Sequence, residues 1–130
     1  MKILVINTGS SSLKYQLFDM RDSSALCAGI IERIGEKTGI WTHKVHLKTS
    51  VKPQNENIRK LPVKDHRAAM HLAVNQIADP KEGVIKDIHE INAVGHRVVQ
   101  GGEAFSAAVR IDAEVKQAIK ENIKLAPLHN

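Results

Sequence analysis

Apolar residues follow three different spacings along this 130-residue chain, and each spacing predicts a different element. Ile3-Leu4-Val5-Ile6 is an unbroken apolar run ending at Asn7, which reads as a buried strand near residues 2–7. After Thr8-Gly9-Ser10-Ser11-Ser12 the pattern becomes an alternation, with Leu13, Tyr15 and Leu17 set against Lys14 and Gln16. A second strand near 13–19, returning antiparallel through a short hydroxyl-rich turn, accounts for both stretches. Asp19-Met20-Arg21-Asp22-Ser23 reads as a turn. A third strand is expected over 25–34, with Leu26, Ala28 and Ile30 on one face and Ala25, Cys27 and Ile31 on the other. Residues 40–48 are expected as a more exposed strand that turns Trp41, Val45 and Leu47 inward.

The period changes around Pro62. Residues 49–62 are polar, hold Pro53, Pro62, Lys52, Arg59 and Lys60, and are expected to form a surface loop. Met70, Ala73, Val74 and Ile77 then recur at helical spacing, with Asp65 as cap and Pro80 and Gly83 as stops, predicting a helix near 65–79. Residues 84–92 fit a short helix or an extended segment equally. Ile91, Ala93 and Val94 read as a short buried strand that runs into Gly95-His96-Arg97. A second amphipathic helix is expected near 113–125, capped by Asp112 and carrying Val115, Ala118, Ile119 and Ile123 on one face, with an end near Ala126-Pro127. No internal repeat or low-complexity stretch breaks this order. Strands first, then alternating helix and strand, predict an α/β domain with a mixed sheet and flanking helices.

Composition narrows the picture only a little. The length suits one domain, and 42% apolar with 25% charged residues is ordinary for a globular protein. Nineteen Lys and Arg against fourteen Asp and Glu give a net charge of +5, compatible with anionic ligands. Nucleic acid is disfavoured as a partner, because the four aromatic residues Tyr15, Phe18, Trp41 and Phe105 are not interleaved with basic clusters. Cys27 is the one cysteine, so no internal disulfide can form, and its apolar surroundings suit a small core residue. No apolar run approaches the roughly 18–20 residues of a membrane span, and the N-terminal run is too short for a signal peptide. A soluble, cytoplasmic protein that does not engage a membrane is expected.

Two stretches carry chemistry. In the first, the turn after Asn7 offers three serines, a threonine and several backbone amides, with the Lys14 ammonium close by. Gly9 is able to supply a positive φ there and lets a ligand approach the backbone. Hydroxyls and amides donate, Lys14 brings a point charge and Asn7 an oxygen, an inventory that suits a nucleotide phosphate and its metal ion. An ordinary polar hairpin would use the same residues. The common P-loop is excluded, since Leu13 precedes Lys14 and Tyr15 follows it. The hairpin resembles instead the first phosphate-binding loop of the sugar kinase/actin superfamily. In the second stretch, Gly95-His96-Arg97 with Gly101-Gly102 leaves a guanidinium able to hold a carboxylate or phosphate at two points. A simple Arg97–Glu103 pair is the structural alternative. The histidines suggest no metal: His43 and His46 would point to opposite faces of a strand, and His66 and His71 are expected on the solvent side of their helix.

Three blocks, MKILVINTGSSSLKYQLFDM, INAVGHRVVQGGEAF and LAPLHN, occur in order and together resemble the acetate kinases over the whole chain. The resemblance implies a homodimer of two actin-like (ribonuclease H-like) domains that moves the γ-phosphoryl group of ATP to acetate with Mg²⁺, reversibly, giving acetyl phosphate and ADP. It implies that Asn7 belongs to the Mg²⁺ site, Lys14, Ser10 and Ser12 to ATP binding, and Arg97 and Val99 to the acetate pocket. One departure is Gln100, where the family pattern usually has His; Gln cannot carry charge. The larger departure is length. Acetate kinases are much longer, so residues 1–130 are expected to be an incomplete N-terminal actin-like domain that stops in mid-domain, with the second domain absent. The catalytic residues would then fall beyond Asn130, none within 1–130, and this piece alone should be catalytically silent. A propionate or butyrate kinase, or a non-catalytic anion-binding or regulatory module of the same fold, is the alternative.

Overall fold

Leu4 and Ile6 alternate with Val5 and Asn7 in burial, so the opening apolar run is a strand with one covered face, β1 (Lys2–Thr8). A computed structural model of the chain describes residues 1–46, 55–98 and 107–123. Four antiparallel strands follow β1: β2 (Leu13–Asp19), β3 (Ser24–Glu32), β4 (Gly39–Val45) and β5 (Asn55–Leu61). After helix α1 (His66–Ile77) the chain adds β6 (Ile91–His96) parallel to β1, which gives the order β5-β4-β3-β2-β1-β6. This is the mixed α/β sheet that the spacing predicts. The chain divides into two compact units, Met1–His96 and Arg97–Asn130.

One face of the sheet in the first unit is covered by α1, which packs on β2 and β3. Leu4, Ile6, Leu13, Tyr15, Leu17, Cys27, Ile31 and Trp41 meet Ala69, Ala73 and Ile77 of the helix in a single core, closed by Ile34, Val63 and Ile85. The helix begins where Asp65 accepts from the Ala68 N–H at 2.8 Å, as a cap should. Cys27 is fully buried, and burial pushes its thiol up to about 12, so it is an inert core residue.

A polar pair row lies inside that core. Tyr15, Gly29 and His43 are neighbours on three adjacent strands. A Cβ on Gly29 would stand 2.2 Å from the Tyr15 ring, so the missing side chain is what lets Tyr15 lie across β3 and reach His43 at 2.6 Å. Trp41 Nε1–H donates to the Tyr15 hydroxyl at 3.0 Å.

Three expectations need correction. Residues 55–61 do not belong to a surface loop but form β5, whose side chains are exposed on both faces and which is held by its backbone ladder to β4. The strand therefore shows no apolar alternation; Ile58 is 60% exposed. The region before it, 47–54, lies outside the described residues, and Leu47 with it. The strand at 91–96 is present but not buried: Ala93 and Val94 are exposed at the sheet edge, Val94 by 57%. His66, finally, is half-buried rather than on the solvent side. The segment 84–92 is mostly irregular, with one 3₁₀ turn at Ile88–Glu90 capped by Asp87.

In the second unit, α2 (Ala113–Glu121) starts at Asp112, whose side chain accepts from the Val115 N–H at 2.9 Å. Val115 is its buried residue, and Ala118 and Ile119 are half-buried. The helix ends at Asn122, a few residues before the expected stop; Ala126 and Pro127 lie outside the described residues.

Candidate functional site

Asn7 and Lys14 are directly opposite each other in the β1–β2 ladder, so their side chains share one face. That face is the one α1 leaves uncovered. Both residues are exposed and stand among the lining of a shallow groove of about 510 Å³, with Val5, Gln16, Ala28, Ile30, Thr42 and Lys44. Strand alternation does this: the same β2 that buries Leu13, Tyr15 and Leu17 must send Lys14 and Gln16 the other way.

The turn joining the two strands is tight. Gly9 N–H donates to Ser12 O at 2.9 Å. Gly9 does not use the positive φ open to it; a Cβ there would meet Ser12 Oγ at 2.7 Å, so a side chain would require that hydroxyl to turn. Ile34 N–H donates to Ser11 O at 2.9 Å, and His66 Nε2 lies 2.8 Å from Gly9 O and 3.2 Å from Ser12 O. Among the described residues, no partner accepts from the backbone N–H of Ser10, Ser11 or Ser12. Ser10 and Ser11 are exposed and Ser12 half-buried. Three open donors, hydroxyls and an ammonium thus stand together at one end of the sheet, which is what an oxyanion requires.

A metal finds less here. No cluster of three or more His, Cys, Asp or Glu side chains suited to an ion occurs among the described residues. Asn7 offers one neutral oxygen beside the Lys14 ammonium, a donor set too poor for a bare divalent cation. It fits an ion that already carries phosphate and water ligands.

β6 runs parallel to β1 with His96 opposite Ile6, so it ends at the same edge of the first unit as Asn7. Arg97 follows in sequence, is exposed, and belongs to the second unit. Val99, Gln100 and Glu103 lie outside the described residues, so neither the acetate-pocket assignment of Val99 nor an Arg97–Glu103 pair is described. Asn7, Lys14, Ser10 and Ser12 come together on one hairpin of the first unit; Arg97 belongs to the second.

Two histidines carry structure that the sequence pattern does not announce. His43 is buried against Tyr15, and burial pushes its pKa down to about 4. His66 reaches back to the turn over a separation of more than fifty residues. No local spacing signals either contact.

The sequence matches the acetokinase family over residues 2–130. It is 52% identical over its full length to an acetate kinase of Clostridium kluyveri, of which it covers 30%. The structure is similar to that of Porphyromonas gingivalis acetate kinase, with a TM-score of 0.86 and 37% identity over 99% of this chain and 31% of the other. It is also similar to a propionate kinase from Francisella tularensis, with a TM-score of 0.79 and 32% identity over 98% of this chain and 30% of the other. The chain thus spans about 30% of the length of the relatives it matches.

Proposed function

The chain belongs to the acetokinase family, and from that premise we propose that it forms the N-terminal, nucleotide-facing part of a kinase that transfers a phosphoryl group between ATP and acetate. The observation that carries the proposal is the β1–β2 turn, whose three unpartnered amides sit beside Lys14 and Asn7.

The chemistry asks little covalent work of these residues. Acetate is an anion at neutral pH, so its oxygen attacks the γ-phosphorus without a general base. A P–O bond to ADP breaks as the new P–O bond to acetate forms, giving acetyl phosphate and ADP. Bringing two anions together is the difficulty, and positioning with charge neutralisation answers it. Lys14 and the Ser10 and Ser12 donors take the phosphates. Asn7 would offer a neutral oxygen to the Mg²⁺ of the MgATP substrate, whose charge would help neutralise the phosphates. Arg97 holds the carboxylate at two points, and Val99 lines the space beside the acetate methyl. The groups that act on the transferring phosphoryl would come from polypeptide beyond Asn130, in a homodimeric, cytoplasmic enzyme of two actin-like domains.

The likeness to a propionate kinase supports a second reading of the acid, since one methylene is worth only ~1–3 kcal/mol of discrimination. The test is Arg97 in the protein at its natural length. Arg97→Ala should raise the acetate KM and lower kcat, together costing roughly 2–4 kcal/mol in kcat/KM, with the ATP KM nearly unchanged. Arg97→Lys keeps the charge but loses the fork, and should fall nearer Ala than wild type. A stable Arg97→Ala protein with unaltered acetate kinetics would refute the assignment.

A further inference from the structure

His66 is the first residue of α1, and its ring is turned toward the hairpin. Both atoms near its Nε2, Gly9 O and Ser12 O, are carbonyl oxygens and can only accept. Nε2 therefore carries the hydrogen and donates to both. The helix that places this ring is rigid: Asp65 caps it, and Ala69, Ala73 and Ile77 anchor it in the core. With Ile34 N–H holding Ser11 O, the carbonyls of Gly9, Ser11 and Ser12 are all tied to the protein.

The peptide plane converts this into a statement about donors. In a trans peptide the C=O of one residue and the N–H of the next point in opposite directions. Drawing Gly9 O to His66 turns the Ser10 N–H away from the helix. Drawing Ser11 O to Ile34 turns the Ser12 N–H away from its support in the same manner. These are two of the amides left without a protein partner.

We infer that His66 is a positioning residue for the nucleotide phosphates: by holding the Gly9 carbonyl behind the turn it keeps the Ser10 amide aimed outward at an anion, and through the Ser12 carbonyl it fixes the far end of the same turn, where Ile34 aims the Ser12 amide. The inference rests on the reading that this turn faces the nucleotide. Acting through the turn, His66 affects nucleotide use and leaves acetate use alone.

The experiment uses the protein at its natural length, with steady-state kinetics for ATP and acetate, melting temperatures, and Lys14→Met as the control for the turn itself. His66→Phe keeps the ring volume without a donor and should raise the ATP KM about tenfold, with the acetate KM moving less than about twofold. His66→Gln restores an N–H₂ group and should return the ATP KM to within about threefold of wild type. A stable His66→Phe protein with the wild-type ATP KM, while Lys14→Met raises it, overturns the positioning role alone. If Lys14→Met is equally silent, the nucleotide reading of the turn falls and the inference with it. A variant-free check is hydrogen exchange in the wild type, where MgADP should slow the Ser10 and Ser12 amides about tenfold or more. Unchanged exchange in the presence of saturating MgADP contradicts the inference.

Discussion

The proton of Tyr15 has one place to go. Trp41 Nε1–H already donates to its oxygen, so the hydroxyl donates to His43 Nδ1, which must be unprotonated. Burial keeps the phenol protonated far above its usual range and His43 neutral, with a pKa near 4. Arg59 adds to the effect on His43 and Glu82 opposes it. The folded His43 thus binds its proton later than the unfolded side chain, whose value is 6.5. Its contribution to stability is full above about pH 6.5 and is lost as the pH falls toward 4. Allowing for solvent screening, the loss is about 2 kcal/mol. Denaturant titrations at pH 7.5 and 4.5 should show it, and His43→Gln should flatten that pH dependence; an equal slope in both proteins would contradict the assignment. At this scale the sequence placed Asn7, Ser10, Ser12 and Lys14 on one short hairpin, because they lie within eight residues of each other, and alternation put Asn7 and Lys14 on one face. It concealed His43 and His66, because their partners lie 28 and more than 50 residues away.

The strands β2, β3 and β4 are registered through one row in which Tyr15 crosses Gly29 to meet His43. Gly29→Ala would force the ring away and strain both hydrogen bonds. It should cost roughly 2–4 kcal/mol, the sum of overpacking and a broken buried polar contact. Tyr15→Phe keeps the ring and loses only the hydroxyl, so it should cost less than Gly29→Ala; chemical denaturation ranks the two, and the opposite order would reject the row as a register device. Elements with periodic apolar faces and clear caps, β1 to β3 and α1, were readable in advance. β5 was not, because a strand held by its backbone at a sheet edge needs no apolar face. Arg59, in register with Trp41, instead places its guanidinium 5.0 Å from the indole centre and 3.6 Å from Glu82. β6 lies at the opposite edge of the sheet, where Ala93 and Val94 are exposed although their composition suggests burial.

Across the molecule, one sheet face is committed to the core and the other presents the hairpin side chains. α1 serves both, burying its apolar stripe on β2 and β3 while His66 braces the turn from behind. The carboxylate-binding chemistry proposed for Arg97 falls to the second unit. The central claim is that the β1–β2 hairpin is the nucleotide side of a phosphoryl-transfer site, and Lys14 tests it most directly. The measurement is the ATP KM for acetyl phosphate formation by the natural-length protein and its Lys14→Met variant, with melting temperatures in parallel. Lys14 is exposed and makes no contact the core depends on, so the melting temperature should hold. Loss of a charge-assisted phosphate contact worth roughly 1.5–3 kcal/mol should raise the ATP KM about 10- to 100-fold. The same ATP KM in both proteins would contradict the account.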